Sequence, residues 1–232
     1  MQLTSVRLPT GEDVDPSEWT TTPLYSTVEA QIGVSLSSLF FFSYGSSGTV
    51  PISPATLPTR PATDYDTNME GQGSILPENE RILLYSIQIE LINTGVPAEA
   101  TADTTATPPD CSLDQVLFVQ RDTLAILHIG SRKKEYCRAP IGYFPGSVGV
   151  GRIMQPNAQN EGAATGFKVA YNSGINPDDN RNFASPHDIP GGTAFDLELA
   201  FPNGGIHSNP AAPGDVIRFR TKFYGFRKRP VA

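Results

Sequence analysis

Long apolar runs are missing from this 232-residue chain. The most apolar window, Leu36 to Tyr44, is far shorter than the ~20 residues a membrane-crossing helix needs. No apolar stretch follows Met1, so a secretory leader is not expected and synthesis is expected in the cytoplasm. Cysteine is scarce as well. Cys111 and Cys137 are the only two, too few for a disulfide framework and without CxxC spacing, which leaves two free thiols or one bridge. The three histidines, His128, His187 and His207, form no HxH, HExxH or two-His-one-carboxylate pattern, so a metal enzyme is poorly supported. There is no GxSxG, and Gly149-Val-Gly151 is not followed by the Lys and Ser/Thr of a phosphate loop. The chain therefore reads as a non-enzyme with no cofactor and no small-molecule substrate. Charge is sparse too: 18% of residues against a usual ~25%. The surface must be rich in small polar residues, or much of it lies in interfaces.

Glycine and proline are abundant, at 21 each, which favours many turns and short strands over long helices. The net charge of −7 is uneven. Gly214 to Ala232 holds six basic residues (Arg218, Arg220, Lys222, Arg227, Lys228, Arg229) and one acid, a net +5 that leaves −12 on the preceding chain. Such an end is either a solvated tail or a patch facing a polyanion, phosphate backbone or lipid headgroup. Within it, GDVIRFRTKFYGFRKR (Gly214–Arg229) reads as one long strand. Strand alternation puts Ile217, Phe219, Thr221 and Phe223 on one face and Val216, Arg218, Arg220, Lys222 and Tyr224 on the other. The cationic row repeats every ~6.6 Å, a spacing that can track phosphates without reading bases or face glutamates of a neighbouring strand.

Residues 1–27 are polar and proline-punctuated, with the acidic cluster Glu12, Asp13, Asp15 and Glu18 and the sole tryptophan, Trp19. An aromatic on an arm either anchors to a neighbour or folds back on its own domain. Ser26 to Tyr44 carries two patterns. Ser26 with Glu29 matches a helix capping box, whereas Val28, Ala30, Ile32 and Val34 alternate as a strand does. Gly33 and the many Ser and Thr residues favour one or two strands. Phe40, Phe41 and Phe42 must be buried, in the core or against a partner. Gly45 to Asn79 reads as an extended loop. Strands are then expected at Arg81–Ile92, Val116–Val119, Thr123–Ile129, Glu135–Ala139, Ser147–Ile153, Phe167–Tyr171, Thr193–Phe201 and the closing stretch, with long loops at Gly95–Asp110 and Asn172–Gly192.

Other local chemistry has bland explanations. Asn176, Asp178, Asp179, Asn180, Asn182 and Asp188 offer oxygens for calcium, but without EF-hand spacing, and read as a turn rich in Asx caps. Asp196 and Glu198 fall on the solvent face opposite Phe195, Leu197 and Leu199.

Eight strands with short-interval turn signals, long at both ends, define an all-β sandwich or barrel. In strand count, long loops, preceding arm and basic end, the chain resembles jelly-roll capsid proteins of tailless icosahedral viruses, those of membrane-containing bacteriophages in particular. The resemblance implies an eight-stranded single jelly-roll sandwich over 81–232 with a basic C-terminal end, Arg81–Ile92 lying beside the last strand. Residues 1–80 are then an N-terminal arm and extended loop, with room for extra strands over 28–43. It implies a virion capsid subunit, made in the host cytoplasm, whose partners are copies of itself and other capsid proteins. Trp19, Phe40, Phe41 and Phe42 would lie at interfaces. Arg218, Arg220, Lys222, Arg227, Lys228 and Arg229 would face genome or inner-membrane headgroups. The alternative is a virion spike, a fibre or a carbohydrate-binding jelly roll, with Tyr143, Phe144 and Tyr171 as an exposed aromatic cluster.

Overall fold

A computed structural model describes residues 6–7, 11–31, 34–53, 59–70, 73–93, 123–130, 134–144, 183, 186–206 and 216–228. The described chain is built of strands: β1 (Val6–Arg7), β2 (Asp13–Val14), β3 (Trp19–Thr20), β4 (Leu24–Gln31), β5 (Ser38–Phe41), β6 (Ile52–Ser53), β7 (Arg81–Asn93), β8 (Leu124–Ile129), β9 (Lys134–Pro140), β10 (His187–Pro190), β11 (Phe195–Ala200) and β12 (Val216–Lys228). The described helices are single 3₁₀ turns at Pro16–Glu18 and Ile141–Tyr143.

Two sheets face each other. The larger runs β10-β7-β12-β4-β6, with β3 also on β12, and the smaller runs β5-β11-β8-β9. All pairings are antiparallel except the short parallel contact of β4 with β6. β1 and β2 form a separate two-residue ribbon. The centre of the larger sheet is β12, flanked along its length by β7 and along Val216–Phe223 by β4. Ile217, Phe219 and Phe223 point inward, as the alternation predicts. They meet Leu24, Val28, Ile87 and Ile89 from their own sheet and Phe41, Leu127, Phe195 and Leu197 from the other in one core. Each fully buried side chain of this size contributes about 1.5–3 kcal/mol.

β4 and β5 lie in the region where one or two strands are expected. Leu24–Gln31 and Ser38–Phe41 belong to the two sheets, so the boundary drawn at residue 80 cuts through both. Ser26 serves no helix cap; its Oγ accepts the Phe42 N–H at 2.9 Å. Phe41 and Phe42 are fully buried. The Phe42 ring packs tilted against Phe223 (4.6 Å) and Phe195 (5.3 Å), so Phe41 and Phe42 fill the core of the chain itself and leave no exposed surface for an interface. Phe42 pays for that position with a φ of 60°, rare for a bulky residue. The core contacts and a hydrogen bond from Ser74 N–H to its carbonyl hold it there. Phe40, half-buried, points away from the core.

Among its described residues the stretch from 45 to 79 has one short strand, as a long loop should, yet Val50, Met69 and Leu76 are buried and Asp66 and Thr67 are fully covered. Residues 59–70 lie over the outer face of β4. Asn68 accepts the Tyr25 N–H at 2.9 Å, and the Tyr25 hydroxyl donates to the Asp64 carbonyl. That cover explains why β4 is buried on both faces and lacks clean alternation. One strand, β10, falls inside an expected loop. The expected strands Val116–Val119, Ser147–Ile153 and Phe167–Tyr171 lie outside the described residues. At the far end of β12 the register with β7 shifts between Tyr224 and Gly225. There a Cβ on residue 225 would collide with the Leu83 carbonyl, so glycine is required by close approach.

Candidate functional site

The cationic face of β12 is the first surface to test. Arg218 stands opposite Glu29 of β4, and its Nη2 and Nε both donate to Glu29 Oε1, at 2.8 and 3.0 Å. Arg60, from the covering loop, donates to the same oxygen and, by two further bonds of 2.8 and 2.6 Å, to Asp66. Two arginines and two carboxylates thus form a closed, balanced cluster. Burial pushes the Asp66 carboxyl up, but hydrogen bonds from Arg60 and Thr63 outweigh it and hold the pKa at about 2. Lys222 pairs with Glu90 of β7. Arg220 donates to Thr27 Oγ1 and, at 2.9 Å, to the Tyr65 carbonyl, with its guanidinium 3.9 Å over the exposed Tyr65 ring.

The end of the strand divides. Arg227 turns inward, 2% exposed, and donates twice to Glu80 Oε2, at 2.7 and 3.1 Å. This corrects its place among polyanion-facing residues: its charge is buried against Glu80. Lys228, on the other face, pairs with Glu18 at 2.8 Å. Arg229 lies outside the described residues. Of the five expected polyanion-facing residues that are described, Arg220 alone is held by a carbonyl and a ring rather than a carboxylate. Nothing in the local sequence signals the acidic partners, which come from positions up to 189 residues away.

Trp19 lies beside Lys228, its Cα partner in β12, and is half-buried. It lines a groove of about 700 Å³ between the acidic stretch Glu12–Glu18 and a wall formed by Glu78, Glu80, Arg81, Pro190, Gly191 and Lys228. Arg81 bridges the groove, donating to Glu12 at 2.8 Å and to Asp188 at 2.9 Å. The Asp188 carboxylate, one of the oxygens considered for calcium, is thereby engaged; residues 176–182 lie outside the described chain.

On the outer face of the smaller sheet, His128 Nδ1 lies 2.7 Å from Asp196 Oδ1, and its Nε2 lies 3.9 Å from Glu198. Asp196 does point away from the core as expected, but it is buried rather than solvated. His187 sits against Phe183 (4.4 Å) and Tyr136 (5.4 Å), and burial lowers its pKa. Among the described residues no group of three His, Cys, Asp or Glu is arranged to hold a metal ion. No described helix is long and apolar enough to cross a membrane. Of the expected aromatic cluster, Tyr143 is exposed, Phe144 is buried in the core, and Tyr171 lies outside the described residues, as does His207 of the three histidines. Cys137 is a free, half-buried thiol whose pKa burial raises; Cys111 also lies outside the described chain.

No protein-family model, curated protein or solved structure matches the chain.

Proposed function

We propose that this protein is a virion capsid subunit, built on an eight-stranded single jelly roll that self-assembles into an icosahedral shell. The observation carrying the reading is the order of pairing. Taking the eight principal strands as β4, β5, β7, β8, β9, β10, β11 and β12, first pairs with last (β4 with β12), second with seventh (β5 with β11), third with sixth (β7 with β10) and fourth with fifth (β8 with β9). This nesting is that of one long hairpin rolled into a sandwich, with alternate pairs in alternate sheets. It also makes β4, rather than β7, the first strand of the roll, while β7 still lies beside β12. Fold alone does not give function. The capsid reading rests further on sparse charge and long loops, both suited to burying surface between copies in a closed symmetric assembly.

Partners in this reading are further copies of the chain, other capsid proteins, and a polyanion (genome or membrane headgroups) on the inner side. The internal pairing of Arg218, Lys222, Arg227 and Lys228 concentrates the polyanion role on Arg220 among the described residues. Light scattering and negative-stain microscopy of the purified protein test the assembly: closed particles are expected as concentration rises. A monomer that persists at high concentration, alone and with co-expressed virion proteins, overturns it.

A further inference from the structure

The acidic stretch 11–20 is attached to the sandwich unlike any of its strands. None of its residues whose burial is described is buried. Its sheet contact is two residues long, Trp19 with Lys228 and Thr20 with Arg227. Beyond that, among the described residues, two ion pairs hold it to the sandwich. Glu12–Arg81 and Glu18–Lys228 both close at 2.8 Å, and their side chains are 49%, 26%, 37% and 41% exposed, in that order. Exposed Thr21 and Thr22 connect it to β4. Closing this stretch also shields Trp19 Nε1–H from solvent without an acceptor among the described residues, a cost that opening relieves.

We propose that residues 11–20 form an electrostatically latched strap. It is closed over the groove at low ionic strength and open at high, with the sandwich folded in both states. Exposed ion pairs lose their attraction as salt shortens the Debye length from about 10 Å at 0.1 M to about 3 Å at 1 M. The hydrophobic core that holds the two sheets together is apolar and does not share that dependence. Opening frees Lys228, leaves Arg81 paired with Asp188 alone, and removes one wall of the groove.

Trp19 is the sole tryptophan, so its fluorescence reports the strap alone. Quenching by acrylamide, a neutral probe, is expected to rise severalfold between about 0.05 and 1 M NaCl, while far-UV circular dichroism of the strands stays constant. Lys228→Gln and Glu12→Gln are each expected to raise quenching already at low salt. The exchanged pair Glu18→Lys with Lys228→Glu is expected to restore low quenching and the salt response, whereas Glu135→Gln, on the remote exposed pair with Arg138, should change neither. Quenching that stays flat through 1 M salt, or that rises only together with loss of strand signal, overturns the latch. So does failure of the exchanged pair to restore it.

Discussion

Arg227 and Lys228 are consecutive residues of β12, and each ends on a glutamate at 2.7–2.8 Å. The chemistry is the same and the setting opposite. The Arg227–Glu80 side chains are 2% and 3% exposed, while those of Lys228–Glu18 are 41% and 37%. In the first pair both charges have left water, so removing one partner strands the other. In the second, water takes the place of either partner almost without loss. Alternation along a strand thus decides which of two neighbouring salt bridges the fold depends on and which only holds a strap.

That contrast can be broken most severely at Glu80. Glu80→Ala or Arg227→Ala is expected to cost about 3–5 kcal/mol, by leaving an uncompensated buried charge. Arg227→Met combined with Glu80→Leu should recover most of it; urea denaturation of the three variants reads the difference. Next in size is Gly225→Ala, two residues upstream, where the new methyl meets the Leu83 carbonyl. A loss above ~2 kcal/mol in the same assay is expected, because main chain rather than a flexible side chain must move. A third test uses acid. Asp66 has a folded pKa of about 2, below the ~3.9 of an unfolded aspartate. Its contribution is therefore complete above about pH 4 and disappears as pH falls through 2. The loss is on the order of 2 kcal/mol, and Asp66→Asn should flatten that part of the stability–pH curve. The smallest effect belongs to Lys228→Gln, expected to change global stability by less than about 1 kcal/mol. A Lys228 variant as damaging as the Glu80 one would erase the distinction.

What the sequence makes legible follows the same physics. β12 and, less strictly, β11 alternate because one face of each meets the core; β7 is buried on both faces and is marked instead by its apolar length, and the positions of all three can be read within a residue or two. β4 could not be assigned outright, because residues 59–70 cover its outer face and remove the polar half of the pattern. β10 is four residues of His, Asp, Ile and Pro, too short and too turn-like to register except through the β7 edge that receives it. The partners of the cationic row were invisible for another reason. Glu29, Glu80 and Glu90 lie 132 to 189 residues upstream of the cations they bind, and no local rule pairs charges across such a distance. Composition marks the row as basic; only the register shows that most of it is neutralised within the chain.

The nesting of first strand with last has a consequence for synthesis. β4 is made early, yet the strand that flanks most of its length is β12, about 190 residues later. At roughly 5–20 residues per second, β4 waits some 10–40 s for that neighbour. β7 waits less, and the β8–β9 hairpin closes at once from local sequence. During that interval the nascent chain presents two long unpaired edges, so the larger sheet is the last part to fold and the part most in need of protection from other chains.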